Sequence, residues 1–158
     1  MTTSGQLHHR SSADLDAATL YEILRLRVDV FVVEQACPYP ELDGRDLEPP
    51  TRHFWFGDDD GRVIATLRLL ADPPSADGRP VFRIGRVCTE RGHRGQGLTA
   101  RLMAAVLDEV AEYPCVIEAQ AYLVEMYGKF GFVIEGEEYL EDGIPHVTMR
   151  RDPVAARS

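Results

Sequence analysis

Cysteine is scarce in this 158-residue chain. Cys37, Cys88 and Cys115 are widely separated, odd in number and never form a Cys-x-x-Cys pair. This argues against a disulfide framework or a zinc ribbon and for a reducing compartment. Long apolar runs are missing as well. No stretch approaches the roughly 18 residues that a membrane helix requires, and Met1 to Ser12 is polar, carries His8, His9 and Arg10, and lacks the apolar centre of a secretory leader. A cytoplasmic protein without a membrane partner is therefore expected. Basic residues are outnumbered: 17 Lys and Arg against 26 Asp and Glu give a net charge of −9, which disfavours nucleic acid as a partner, because a phosphate backbone calls for a basic face. Asparagine is absent and Lys129 is the one lysine, and neither fact indicates a chemistry. No metal is expected, because no ligand spacing such as H-E-x-x-H occurs.

What is present fits one domain over residues 1–150 with a flexible tail at 151–158. A chain of this size buries roughly 68–70% of its unfolded surface, enough for one core without staples. Asp16 or Thr19 can cap a helix, Thr19 with Glu22 at capping-box spacing, and Leu20, Ile23, Leu24, Val28 and Phe31 continue it to about Gln35. Prolines and Gly44 make Cys37 to Arg52 a long acidic loop, a length more often functional than idle. His53 to Phe56 and Arg62 to Leu70 read as a hairpin about the Asp-Asp-Asp-Gly turn. A strand from Val81 to Thr89, a helix marked by Leu98, Leu102, Val106 and Val110, and a strand from Val116 to Ala119 follow. Tyr122 to Phe130 reads as a helix, and Phe132 to Leu140 and Ile144 to Met149 as strands joined at Asp142-Gly143.

The richest stretch runs from Arg83 to Ala100. A strand feeds a glycine-rich loop that opens a helix, so backbone N–H groups and the positive end of the helix dipole converge on one point, a geometry suited to a pyrophosphate. Arg83, Arg86, Arg91 and Arg94 lie within it, and an anionic ligand would account for them. Gly95, Gly97 and Ala100 also satisfy G-x-G-x-x-A, with Glu118 about 20 residues on. However, a dinucleotide fold places its first glycine directly after the strand and repeats βαβ units, whereas here five residues intervene and hairpins flank the motif. No Gly-Lys-Ser/Thr follows, so a Walker A loop is absent.

Arg94-Gly95-Gln96-Gly97-Leu98-Thr99 resembles the R/Q-x-x-G-x-G/A signature of the GCN5-related N-acetyltransferases, with Thr99 where Gly or Ala is usual. Tyr127-Gly-Lys-Phe-Gly-Phe132 is similar to that family's Y-x-x-x-G-F element, and Gln120 stands where Asn is common. The resemblance narrows to the ElaA-like branch through Val30-Phe-Val-Val-Glu-Gln35, Cys37-Pro38-Tyr39, Leu42-Asp43-Gly44, Arg83-Ile-Gly-Arg86, Glu118-Ala-Gln120 and Glu141-Asp-Gly-Ile-Pro-His146, covering residues 15 to 150. It implies a mixed α/β fold with a central, mostly antiparallel sheet, and acetyl-CoA as co-substrate.

The same resemblance implies that the strand at Val87 to Thr89 splays from the one ending near Ala119 to admit the pantetheine arm. Val87, Cys88, Thr89, Arg94, Gly95, Gln96, Gly97, Leu98, Thr99, Ala100 and Gln120 are then the cofactor-binding residues. Tyr127 is the implied acid toward the departing thiolate. Glu34, Glu118, His53 and His146 are candidate bases, with a water chain as the alternative, and Cys88 has no covalent role. Glu34, His53 and His146 are expected to meet the acceptor, a small-molecule or peptide amine, and Glu41, Asp43 and Asp46 in the acidic loop to attract its positive charge. The chain is expected to be a monomer or homodimer. Alternatives are a non-catalytic acyl-CoA-binding module and an acyltransferase of the autoinducer-synthase kind.

Overall fold

The computed structural model describes residues 5–153. Eight strands form one open sheet: β1 (Leu7–Ser11), β2 (Arg52–Gly57), β3 (Val63–Asp72), β4 (Val81–Thr89), β5 (Cys115–Gln120), β6 (Val133–Ile134), β7 (Tyr139–Glu141) and β8 (Ile144–Arg151). The order across it is β1-β2-β3-β4-β5-β8-β6, with β7 also paired to β8. All these pairings are antiparallel except β4 with β5, which run parallel.

Alternation along the strands sorts side chains onto two faces. Phe54, Phe56, Leu67, Leu69, Ile84, Ile117, Val147 and Met149 point to one face, where α2 (Leu98–Glu109) supplies Leu102, Met103 and Val106, and α3 (Val124–Gly128) supplies Tyr127. On the other face Trp55, Val63 and Cys88 pack under Ile23 and Leu26 of α1 (Ala17–Arg27). Asp16 caps α1, its carboxylate accepting the Thr19 N–H at 2.7 Å. The first helix does run on to the predicted end, but from Val28 to Glu34 it is wound as a π-helix. The Gln35 N–H reaches back five residues to the Val30 carbonyl at 3.3 Å.

Three further departures are local. β1 occupies the segment read as a polar terminus, where its histidines stack on β2 aromatics: His8 on Trp55 and His9 on Phe54. The expected strand over Phe132 to Leu140 is broken into β6 and β7, with Gly136 at φ 90° between them. Arg151, expected in the tail, pairs with Cys115 as the last residue of β8; the rest of that tail from residue 154 lies outside the described residues. Among the described residues no helix is long and apolar enough to cross a membrane.

Candidate active site

β4 and β5 pair at three positions, Phe82 with Cys115, Arg83 with Val116 and Ile84 with Ile117, and then part. A bulge on β4 drives the separation: Thr66 faces Cys88 while Arg68 faces Gly85, so β4 carries one extra residue, and Arg86 sits at φ 53° within it. From Gly85 to Thr89 the edge of β4 that looks toward β5 has no strand partner. The fork is part of a cleft of about 740 Å³ that passes from one face of the sheet to the other.

At one end of the cleft lies the glycine loop. Gly95 and Gly97 adopt φ of 81° and 77°, conformations that a side chain strains, and a Cβ at either would meet nothing within 4 Å. Open space beside amides at the N-terminus of the 12-residue α2 is a cradle that fits a pyrophosphate. Thr99 lines the cleft, its hydroxyl within 3.0 Å of that of Thr89. Val87, Cys88, Thr89, Arg94 and Leu98 also line the cleft, as does Gln120, whose amide donates to Gln35 at 3.4 Å; Gln96 and Ala100 do not line it.

Tyr127 reaches the cleft from the α3 side, only 4% exposed, and burial raises its phenol pKa, with further contributions from Tyr122 and Cys88. The Cys88 thiol is buried and pushed up to about 12, which leaves it protonated and poorly nucleophilic.

Several expected roles do not survive the pairing of charges. Glu34 is gripped by the Arg94 fork at 2.7 and 2.9 Å, which lowers its pKa and makes it a weak base. Glu118 accepts from Arg83 at 2.6 Å, from Thr148 at 2.7 Å and from the Tyr139 hydroxyl. Burial alone would raise its pKa, but these donors hold it below the usual carboxylate range. His53 lies outside the cleft lining, fully buried with Nε2 at 3.0 Å from the Asp46 carbonyl, and cannot meet an acceptor there. His146 does line the cleft.

The acidic loop likewise offers no free patch of carboxylates. Arg27, fully buried, holds Glu41 at 2.6 Å and Asp46 at 2.5 Å; Arg68 holds Asp43 and Asp46; and Arg86 reaches Glu41 at 2.8 Å and Asp43 at 3.4 Å. This also accounts for most of the arginine excess read as anion-binding: Arg83 bonds Asp72 and Glu118, Arg86 the loop and Arg94 Glu34, which leaves Arg91 largely exposed. Arg68 was not anticipated, although its place in the Thr66, Arg68, Leu70 alternation puts it on the same face as His53, directly across β2. The loop and the β7–β8 turn do come together at the cleft, where the Cys37 thiol lies 3.6 Å from the Asp142 carbonyl.

A family profile described as an acetyltransferase (GNAT) domain matches residues 25–153. The chain belongs to the GNAT family. A UPF0039 protein of Mycobacterium tuberculosis is 63% identical over 138 residues, 87% of each chain. Among solved structures, an acyl-CoA N-acyltransferase from Pseudomonas aeruginosa is 45% identical with a TM-score of 0.84, over 94% of this chain and 99% of that one. Escherichia coli ElaA is 34% identical with a TM-score of 0.85, over 93% and 99%. An acyl-homoserine lactone synthase, BjaI, shares the GNAT fold at 21% identity and a TM-score of 0.76, over 96% and 85%. The mixed, mostly antiparallel sheet and the forked strands of this chain are thus those of an acyl-CoA-dependent GNAT transferase.

Proposed function

We propose that the protein transfers the acetyl group of acetyl-CoA to a primary amine by direct attack. The observation that carries this reading is the fork. It places the unpaired edge of β4 between the glycine cradle and Tyr127 on one side of the sheet and the wall of the cleft formed by Gln35, Cys37 and His146 on the other. Gly95, Gly97 and the N-terminus of α2 would hold the pyrophosphate, and backbone groups of Val87 and Cys88 would orient the pantetheine arm and polarise the thioester carbonyl.

Acetyl-CoA supplies an acyl group activated as a thioester. The amine, once neutral, forms the new C–N bond as the C–S bond breaks. Tyr127, held protonated by burial, donates its proton to the leaving thiolate and is reprotonated as the amide nitrogen loses its surplus proton. The ammonium proton removed beforehand leaves to solvent, so one proton is released per turnover. Cys88 stays out of the reaction as a thiol.

Thiol release from acetyl-CoA with a panel of amines, read together with product mass, tests the reading. Tyr127→Phe should lower kcat by roughly 10²–10⁴ with little change in acetyl-CoA affinity. Turnover within a few-fold of wild type would reduce Tyr127 to packing. Acetyl-CoA binding without thiol release from any amine would favour a binding module, and a lactone product would favour the synthase reading.

A further inference from the structure

We propose that His146 is the base that takes the proton from the acceptor's ammonium group, deepening the transferase reading above. His146 Nδ1 lies 2.7 Å from the Ile144 carbonyl oxygen. A carbonyl can only accept, so Nδ1 carries the hydrogen, and in the neutral ring Nε2 keeps the lone pair. The imidazole is mostly buried, its side chain 12% exposed, yet it lines the cleft. In the register it stands opposite Gln120, and Thr148 opposite Glu118; these four positions share the sheet face that Tyr127 does not occupy. A base on one face of the fork and an acid on the other match an attack in which nitrogen arrives from one side and sulfur departs on the other.

The ring is also held in place. Tyr139, its direct partner across the β7–β8 ladder, stacks on it with centroids 6.0 Å apart and planes 25° from parallel. The Tyr139 hydroxyl is tied to Glu118, which Arg83 and Thr148 anchor in turn. Glu118 is therefore a positioning residue, acting through Tyr139. Glu141 Oε2, 3.8 Å from Nε2, can receive the charge of the imidazolium once the proton has moved. The charged and titratable groups near the ring are Tyr139 and Glu141 from β7, Asp142 from the turn, Cys37 from the facing loop and Glu118 from β5. The proton passes from RNH3⁺ to Nε2, leaving RNH2 and an imidazolium, which returns it to solvent after the acetyl group has transferred. The rival carboxylates are less able to accept it, since Glu34 is forked to Arg94 and Glu118 already accepts from three donors.

Two measurements test the assignment. Long-range ¹H–¹⁵N spectra of the imidazole should show the neutral ring of His146 protonated at Nδ1; a proton on Nε2 would overturn the proposal. Kinetics with whichever of spermidine, tyramine, kanamycin and a dipeptide serves best should show kcat/KM falling on acidification. In His146→Gln kcat/KM should drop by roughly 10²–10⁴ at neutral pH and, with only the free neutral amine left to react, should go on rising with pH toward the amine's own pKa instead of levelling off as the wild type does. The melting-temperature shift with acetyl-CoA should persist, which shows that the variant folds and binds. Added imidazole should restore turnover to His146→Ala in proportion to its free base. A pH profile in His146→Gln that levels off where the wild type's does, or a loss of activity that imidazole does not rescue, would overturn the role of His146 and leave the transferase standing. A wild-type enzyme silent toward every acyl acceptor would remove the transferase reading itself, and the base with it.

Discussion

Arg27 is a charged side chain with no exposure, and its two ion pairs are all that make its burial tolerable. Removing one member of such a pair costs more than the pair is worth, because the carboxylates stay behind in a poorly polarisable site. Arg27→Met keeps much of the volume but leaves Glu41 with Arg86 alone and Asp46 with Arg68 alone, so it should lower the unfolding free energy by about 3 kcal/mol, the low end for breaking a buried pair, read from urea denaturation at pH 7. A loss under about 1 kcal/mol would mean that the loop opens and hydrates its acids instead. The same residue shows where sequence reading stops. Arg27, Arg68 and Arg86 were countable, as were Glu41, Asp43 and Asp46, but partners 14 to 45 positions apart carry no local signal of pairing. Counting unpaired charges made the loop a lure for cations and the arginines a phosphate site, and one set of ion pairs removes most of both readings.

The loop between α1 and β2 owes its acid sensitivity to those pairs. Burial works to raise the pKa of Asp43 and Asp46, yet the arginines beside them hold both below the ordinary carboxylate value, and burial lowers that of His53. All three groups bind protons more weakly when folded. Their contribution is complete above the unfolded pKa values and is lost as pH falls, first through the histidine range near 6.5 and then below about 4. Stability should therefore decline from pH 7 toward pH 3, with amide protection factors, taken relative to the intrinsic rate at each pH, falling in residues 37–51 ahead of β3. A pH-independent urea midpoint over this range would contradict that account. Among the elements, β2 to β5 and α2 were legible because alternation, turn residues and a glycine-to-helix step are local signals. β1 was not, since Leu7-His8-His9-Arg10-Ser11 buries none of its side chains and its histidines stack on β2 aromatics 47 and 45 positions away. The π-wound turn was hidden too: its apolar positions continue the helical pattern, and the extra residue per turn shows only in the hydrogen bonds. Gly95 and Gly97 were legible as a cradle, whereas the tyrosine and carbonyl that set His146 needed the fold of β7 against β8.

Across the whole molecule, the sheet is two plates, β1 to β4 and β5 with β6 to β8, joined by three residue pairs. Acetyl-CoA in the fork would bridge them, so exchange of the amides at 85–89 and 118–120 should slow when it binds, beyond any change in β2 or β3. Equal slowing everywhere would mean that the ligand acts by global stabilisation alone. The junction has another consequence, for the route by which the chain folds. β2 and β3 meet through a short hairpin turn, whereas the parallel join of β4 to β5 must wait for the whole of α2 to be laid across and is rewarded with only three rungs of ladder. That seam should therefore be among the last parts of the sheet to close during folding. The gap proposed to admit a thioester is in this sense a stretch of sheet the chain never finishes knitting.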